Sequence, residues 1–279
     1  MLLAVKSSAL TLTHVIPSHG KVNVGAVTSL DDDVFVLRHN SHQIEVYDAE
    51  TFTLQRHLAV SEIGPRTNSI TACARNKCVY LSEERSSCVH RVELSGRKTV
   101  KNWSVARGPT GLSVNNAHNL VVTCSGANKL QEYTNQGTLV REISLQGGLT
   151  SPWHAVQLST GDYVVSQNTS SGVVSVVGVG GEVKYSYGQS QTSEIGKMKS
   201  PRSLAVTSND DILVADDRND RILSLNRSMS RVHALTLSVD DGIQHQRGLC
   251  LDKSRGRLYV GEWLGEHRVL VFDGVTTTP

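Results

Sequence analysis

Residues 201–226, PRSLAVTSNDDILVADDRNDRILSLN, decide the fold of this chain of 279 residues. The stretch reads as a short apolar strand, a polar turn, a second apolar strand, a polar loop and a third strand. The same order recurs from Ala26, Ile70, Gly111, Ala155 and Gly248. Self-similarity of this kind is typical of repeat architectures, and it outweighs any single local motif.

The spacing of the copies predicts the architecture. One position late in the second strand is apolar in every copy, and it is occupied by Val36, Leu81, Val122, Val165, Val214 and Val260. The intervals between these positions are 45, 41, 43, 49 and 46 residues. A period of this length is expected of the four-stranded blades of a β-propeller. We therefore predict an all-β fold, a single six-bladed β-propeller with four-stranded antiparallel blades that spans residues 1–279.

The last blade lacks an outer strand at its C-terminal end. A fourth apolar strand follows each of the first five copies, but the sixth copy ends at Gly274 and a short tail. Near the other end of the chain, residues 9–15, ALTLTHV, resemble residues 234–239, ALTLSV. We predict that residues 8–16 form the outer strand of the last blade and close the ring. Closure removes a free strand edge that would otherwise favour aggregation.

Blades 5 and 6 also resemble a known repeat. SPRSLAVTSNDDILVADDRNDRILSLN (200–226) and RGLCLDKSRGRLYVGEWLGEHRVLVFDG (247–274) are similar to NHL repeats, in which P-x-G-hydrophobic-AV precedes hydrophobic-V-AD-x-x-N-x-R-hydrophobic. Blades 1 to 4 keep the spacing, but they have LRHN, SEER, TCSG and SQNT in place of VADxxN. NHL propellers form the C-terminal part of many tripartite-motif (TRIM-NHL) proteins. The chain contains no RING pattern, so the resemblance implies that any ubiquitin-ligase activity would lie outside it.

Composition excludes some classes of function. The formal net charge is +2, so no strong overall field attracts nucleic acid. The five cysteines are an odd number at irregular spacings, which favours free thiols in a reducing compartment over a disulfide framework. The apolar run from Leu2 to Val5 is too short for a signal peptide or a membrane span. We expect a cytoplasmic protein without membrane contact, and a propeller that is itself monomeric.

The candidate binding surface is the face that carries two loops from each blade. One of these loops leads into the inner strand, and the other joins the second strand to the third. Loops on a rigid scaffold are frequent places for binding residues. The candidate ligand-binding residues on this face are Arg38, Arg66, Asn68, Trp153, Arg202, Arg218, Arg247 and Trp263.

Two kinds of partner fit that surface. Acidic residues on the same loops roughly cancel its cations, which favours a non-catalytic platform that recognises a protein partner or substrate. The alternative is sequence-selective binding of single-stranded RNA on the same face. The NHL resemblance implies this alternative, because NHL propellers that bind RNA use arginines, aromatic residues and amides from these loop positions. A tryptophan that stacks on a base contributes about 1–3 kcal/mol. The same tryptophan is equally able to anchor a protein partner.

Catalysis is the weakest of the alternatives. The inner strands are small and apolar, and His154 is the one histidine at a channel-mouth position. A zinc site needs three or four ligands, so one histidine is not enough to form one. No hydrolase, metalloprotease or nucleotide-binding motif is present. We expect no enzyme activity, no metal and no cofactor, with a hydrolase or lyase in the central channel as the remaining alternative.

Overall fold

The computed structural model of the chain describes residues 10–18, 20, 22–60, 64, 67–95, 99–169, 172–188, 195, 197–237, 239 and 242–275. Within these residues the strands form six four-stranded antiparallel sheets. Each sheet is one blade of a ring, and the inner strands of neighbouring blades lie side by side. The prediction of a six-bladed β-propeller is confirmed.

The first strand in the chain, β1 (Thr11–Ile16), precedes blade 1. Blade 1 contains β2 (Val24–Leu30), β3 (Asp33–Arg38), β4 (Gln43–Asp48) and β5 (Leu54–Ala59). Blade 2 contains β6 (Thr67–Cys73), β7 (Cys78–Glu83), β8 (Cys88–Glu93) and β9 (Val100–Ser104). Blade 3 contains β10 (Pro109–Val114), β11 (Leu120–Cys124), β12 (Lys129–Tyr133) and β13 (Leu139–Ser144).

The remaining blades follow the same order. Blade 4 contains β14 (Pro152–Gln157), β15 (Tyr163–Gln167), β16 (Val173–Val177) and β17 (Val183–Tyr187). Blade 5 contains β18 (Pro201–Val206), β19 (Ile212–Asp216), β20 (Arg221–Leu225) and a short β21 (Val232–Ala234). Blade 6 contains β22 (Gln246–Asp252), β23 (Arg257–Glu262) and β24 (Val269–Asp273).

The N-terminal strand closes the last blade. The strand order of that sheet is β1-β24-β23-β22, and Ile16 lies opposite Val269 in the antiparallel pair. Ile16 and Leu10 are buried at 0% and 3% exposure, so the pairing is accompanied by packing. The predicted closure agrees with this arrangement over Thr11–Ile16, and residues 8 and 9 lie outside the described residues.

The core lies between the blades, where apolar side chains from facing sheets pack together. The six repeat positions that predicted the fold are all in second strands, and each is 0% exposed. These second strands are apolar almost throughout because both of their faces pack against neighbouring blades. The apolar pattern of the sequence therefore reports burial directly.

Every inner strand begins with a β-bulge, and this irregularity positions the candidate site. The register of the inner strand shifts near its first residues in all six blades. A bulge leaves one residue out of the ladder and re-aims its side chain. The residues inside these shifts include Gly25, Asn68, Thr110, Trp153, Arg202 and Arg247, which we call the bulge ring.

The residue that ends the second strand fixes the linker that precedes its blade. In blade 5 the Asp216 carboxylate accepts hydrogen bonds from the backbone N–H groups of Lys199 (2.8 Å) and Ser200 (3.3 Å). Gln167 accepts from Thr150 in the same way in blade 4. Because these acceptors satisfy buried amides, they hold the chain just before it enters the bulge ring.

Candidate functional site

The bulge ring surrounds the loop-face mouth of the central channel. The channel has a volume of about 290 Å³, and Gly25, Asn68, Thr110, Trp153 and Arg247 are among its lining residues. The inner strands line the channel with backbone and small side chains, so the large polar groups are concentrated at the bulges. On blades 4, 5 and 6 the bulge ring carries Trp153, Arg202 and Arg247.

Two arginine–tryptophan stacks lie at this side of the mouth. The guanidinium carbon of Arg202 lies 4.2 Å from the ring centroid of Trp153, and that of Arg247 lies 3.8 Å from the ring centroid of Trp263. The edge of His39 approaches the second tryptophan, with ring centroids 4.5 Å apart. A guanidinium stacked on an indole keeps its N–H edge available for a ligand.

Asp217 joins the two arginines. It begins a single 3-10 turn, Asp217–Asn219, directly after β19, and its backbone N–H donates to the Ser200 carbonyl. Its side chain is 2% exposed. The Oδ2 atom lies 3.2 Å from Nε of Arg202 and 3.5 Å from Nε of Arg247. One buried carboxylate therefore faces two cations.

The other oxygen of Asp217 contacts a histidine. Nδ1 of His245 lies 3.0 Å from Oδ1 of Asp217, and the imidazole is 36% exposed. A carboxylate at this distance favours the tautomer that carries its proton on Nδ1. Nε2 is then an unprotonated, accessible acceptor, and within the described parts of the chain it has no hydrogen-bond partner. This Asp–His pair has the arrangement of a general base with a carboxylate behind it.

The backbone at His245 has a conformation that recurs in the repeat. Its φ angle is +45°, in the left-handed region that a side-chain-bearing residue seldom adopts. The equivalent position, two residues before the bulge ring, has φ +71° at Gly108 in blade 3 and φ +50° at Ser151 in blade 4. The left-handed turn is therefore part of the scaffold, and in blade 6 it carries the histidine that contacts Asp217.

The electrostatics of the site are cationic. Burial lowers the pKa of Arg202, with Asp217 opposing the effect. Burial, together with repulsion from Arg202, lowers the pKa of Arg247 to about 10. The Nε of Arg247 is buried, and its 3.5 Å contact with Asp217 is longer than the 3.2 Å contact that Arg202 makes with the same oxygen. Two arginines share one carboxylate, which leaves an excess of one positive charge.

The eight predicted site residues do not all meet. Trp153, Arg202, Arg247 and Trp263 form the two stacks, and exposed Arg218 lies close enough to lower the pKa of both stacked arginines. Asn68 lies on the blade 2 side of the channel and donates to Glu84 at 2.7 Å.

The other two members of that set lie elsewhere. Arg38 is 4% exposed, and its guanidinium bonds Glu45 and the carbonyl oxygens of Pro17, Val22 and His267. It therefore stabilises the loops around blade 1. Arg66 lies outside the described residues.

His154 is a structural histidine. Its Nδ1 accepts the Leu204 backbone N–H at 3.0 Å, and its Nε2 lies 3.0 Å from the Leu112 carbonyl. The ring therefore links the inner strands of blades 3, 4 and 5. Burial lowers the pKa of His154 to about 4, so the imidazole is neutral at physiological pH. Both nitrogens are occupied, which leaves no free base at this position.

The described residues lack the features of two other classes of site. Over those ranges no group of three or more His, Cys, Asp or Glu side chains is placed to hold a metal ion. No helix in the described part of the chain is long and apolar enough to cross a membrane.

Comparison with solved structures identifies the fold but no family. Neither protein-family profiles nor curated proteins give a match. A streptogramin B lyase structure is 11% identical, covers 94% of this chain and 87% of its own, and has a TM-score of 0.66. Hydrazine synthase from Kuenenia stuttgartiensis is 17% identical, with coverage of 92% and 78% and a TM-score of 0.67. A catalytically inactive histidine-to-alanine variant of virginiamycin B lyase from Staphylococcus aureus with quinupristin is 12% identical, with coverage of 95% and 89% and a TM-score of 0.64.

These likenesses correct one prediction. The expectation of a non-catalytic binding platform, and of no enzyme activity, is wrong, because structures that share this fold over most of their length include lyases and a synthase. The expectation depended on finding no catalytic motif and only His154 at the channel mouth. Propeller sites are assembled from separate blades, so a contiguous motif is not a reliable test for them.

The arginines and tryptophans were predictable from the sequence, but His245 was not among the candidate residues. The sequence does contain a signal, because Arg66 precedes the bulge-ring position of blade 2 by two residues, and His245 occupies the same position in blade 6. Asp217 is one of the loop acids that offset the cations of this face. Its role depends on the 3-10 turn that aims it between blades 5 and 6, and that turn is a feature of three-dimensional structure.

Proposed function

We propose that this propeller is a small-molecule lyase that acts at the loop-face mouth of its central channel. The observation that carries the proposal is the Asp217 carboxylate, which is shared between the Nδ1 of His245 at 3.0 Å, the buried Arg202 and the half-buried Arg247. A base beside a cationic group suits removal of a proton from carbon next to a carbonyl or carboxylate.

His245 is the proposed catalytic base. Its Nε2 takes the proton on the carbon next to the carbonyl group, and the electrons of that C–H bond form a double bond to the next carbon. The leaving group departs from that carbon with its bonding electrons, and it takes up a proton from the imidazolium or from water. Atoms and charge balance without a redox partner. Asp217 is a positioning residue, because it fixes the tautomer and stabilises the imidazolium that forms.

Arg202 and Arg247 supply the electrostatic contribution. Negative charge develops on the carbonyl oxygens as the proton leaves, and the N–H edges of the stacked guanidiniums are available to stabilise it. Their burial increases this effect, because charge interactions are stronger where water is excluded. The stacks on Trp153 and Trp263 hold both groups in place before substrate arrives.

Lyases are among the proteins that share this fold, which supports the proposal. The similar structures include a streptogramin B lyase and a virginiamycin B lyase, and the latter is a variant inactivated by replacing a histidine. At 11% and 12% identity this likeness concerns the scaffold, and the chemistry proposed here depends on the side chains of this chain. The NHL resemblance of blades 5 and 6 stays a prediction about the origin of the scaffold.

Elimination from a panel of β-hydroxy and β-alkoxy carboxylic acids, from malate to oligogalacturonates, tests the proposal. The product contains a conjugated double bond, so its appearance is followed by ultraviolet absorbance. We expect His245→Ala to reduce turnover by about 10²–10⁴-fold, the usual contribution of a general base. His233→Ala is the matched control, because His233 is an exposed histidine on the outer strand of blade 5. Equal turnover by both variants, or no product from any acid, would contradict the proposal.

A further inference from the structure

The side chain of Arg247 is poorly paired for a partly buried arginine. Among the described residues the one partner of its buried Nε is the Asp217 carboxylate, at the long distance of 3.5 Å, and its guanidinium carbon lies 3.8 Å from the ring centroid of Trp263. A buried donor with a poor partner destabilises a folded protein, and so does a partly desolvated charge. Residues that lower stability in this way are expected where function needs them.

The neighbouring arginine shows the same incomplete pairing. The Nε of Arg202 donates a hydrogen bond to Asp217. The terminal Nη groups of Arg202 and Arg247 make no hydrogen bond to the described residues. These Nη groups belong to guanidiniums that flank one carboxylate at 3.2 and 3.5 Å, so they are close to each other. The site therefore offers several charge-assisted donors and lacks an acceptor for them.

The charge of the site selects the acceptor. The two stacked arginines and Asp217 sum to one positive charge, and at the rim exposed Arg218 is offset by Asp220, whose carboxylate also accepts the His245 N–H at 2.7 Å. A carboxylate group brings one negative charge to the subsite and neutralises this excess, whereas a phosphate dianion concentrates two charges on the bound group and would leave the subsite negative. The two oxygens of a carboxylate also match the fork of an arginine side chain.

We propose that Arg247 and Arg202 form a subsite for the carboxylate of a small organic acid, bound at the channel mouth between Trp153 and Trp263. The inference names the substrate class of the lyase proposed above and depends on that proposal only for the reaction that follows binding. Water-accessible space in the channel, about 290 Å³, accommodates the remainder of a small molecule.

The position of the base agrees with this subsite. His245 and the arginines contact opposite oxygens of the same Asp217 carboxylate, so a bound acid has its first carbon beside the cations and its next carbon towards the imidazole. Removal of a proton from that carbon places the developing charge on the oxygens that the arginines hold. Substrate recognition and charge stabilisation are then performed by the same two side chains.

Tryptophan fluorescence measures binding without any requirement for turnover. The chain has three tryptophans. Trp103 lies on β9, away from the channel mouth, so Trp103→Phe leaves the two site tryptophans as the only reporters. The probes are acetate, malate and inorganic phosphate, titrated at constant ionic strength with chloride as the balancing ion. We expect saturable fluorescence changes with acetate and malate, and weaker binding of phosphate.

Three variants separate a ligand subsite from a structural arginine. Arg247→Gln should weaken malate binding at least tenfold, and Arg247→Lys should weaken it less. The matched control is Arg75→Gln, which should leave malate binding unchanged, because Arg75 is exposed in the turn between β6 and β7. The unfolding midpoint of Arg247→Gln should stay close to that of the parent, since Arg202 and His245 still pair with the Asp217 carboxylate in the variant.

The outcomes distinguish this inference from the proposed lyase. Failure of both carboxylates to bind, tighter binding of phosphate, or equal losses in Arg247→Gln and Arg75→Gln would overturn the subsite. Marked destabilisation of Arg247→Gln would also overturn it, since the arginine would then be structural. Normal malate binding together with no elimination from any acid in the panel would leave the subsite in place and reject the lyase.

Discussion

Acidification should reveal the structural role of His154. This imidazole accepts one backbone hydrogen bond and donates another, which links the inner strands of three blades in its neutral form. Its pKa is about 4 in the folded protein, because burial disfavours the charged ring, and near its ordinary value of 6.5 in the unfolded chain. Between these pH values the unfolded chain binds more protons, so stability falls as the pH is lowered.

The pKa difference sets the size of this effect. The fall in pKa from 6.5 to about 4 corresponds to roughly 3 kcal/mol, and the partial exposure of the ring makes that an upper bound. The contribution is complete above pH 6.5 and is lost progressively towards pH 4. Urea unfolding, followed by tryptophan fluorescence at several pH values, measures it.

The His154→Asn variant isolates this histidine from other titrating groups. Asparagine can accept the Leu204 N–H but leaves the Leu112 carbonyl without a partner, so we expect a loss of about 1–3 kcal/mol at neutral pH. The difference in stability between the parent and the variant should shrink as the pH falls from 6.5 to 4. A difference that stays constant over this range would refute the neutral, bridging histidine.

Three further predictions concern the scaffold. Asp216→Ala removes a fully buried acceptor from Lys199, Ser200 and Arg221, and urea unfolding should show a loss of about 3–5 kcal/mol; a loss below 1 kcal/mol would contradict this. Deleting residues 1–16 removes β1 and the buried Leu10 and Ile16 side chains, so the free energy of unfolding should fall by at least about 3 kcal/mol. The control is deletion of residues 1–9, which leaves β1 in place, and an unchanged unfolding midpoint after deletion of residues 1–16 would reject closure by β1. Gly111→Ala places a methyl group 2.5 Å from the Trp153 carbonyl oxygen and 2.8 Å from His154, so a calorimetric scan should show a lower melting temperature. The control is Gly161→Ala, whose methyl group has no atom within 4 Å and which is strained only by its backbone.

The sequence was sufficient to predict the architecture because the same strand positions are buried in every blade. Val214 and its equivalents lie in second strands that are buried on both faces, so their apolar character survives even where the loop residues differ. The N-terminal strand was predictable for a similar reason, since the last blade needed one more apolar strand. No knowledge of side-chain direction was required for either inference.

The site was only partly predictable because side-chain direction depends on local irregularities. The bulges at Trp153, Arg202 and Arg247 turn these side chains to one mouth, and the repeat alignment placed them on one face correctly. The alignment could not show that Asp217 is turned inwards by a 3-10 turn, or that His154 bonds two neighbouring strands. Both features depend on contacts between blades, which a single repeat does not contain.

Exchange of the α-proton of malate in deuterated water tests the His245–Asp217 pair most directly, because it requires proton removal but no leaving group. The wild-type protein should incorporate deuterium at the carbon next to the carboxylate, as measured by proton NMR. Exchange should fall by about 10²–10⁴-fold in His245→Ala and recover when free imidazole is added, while His233→Ala exchanges like the wild type. Exchange that is unchanged in His245→Ala, or absent in the wild type with malate bound, would contradict the assignment of His245 as the base.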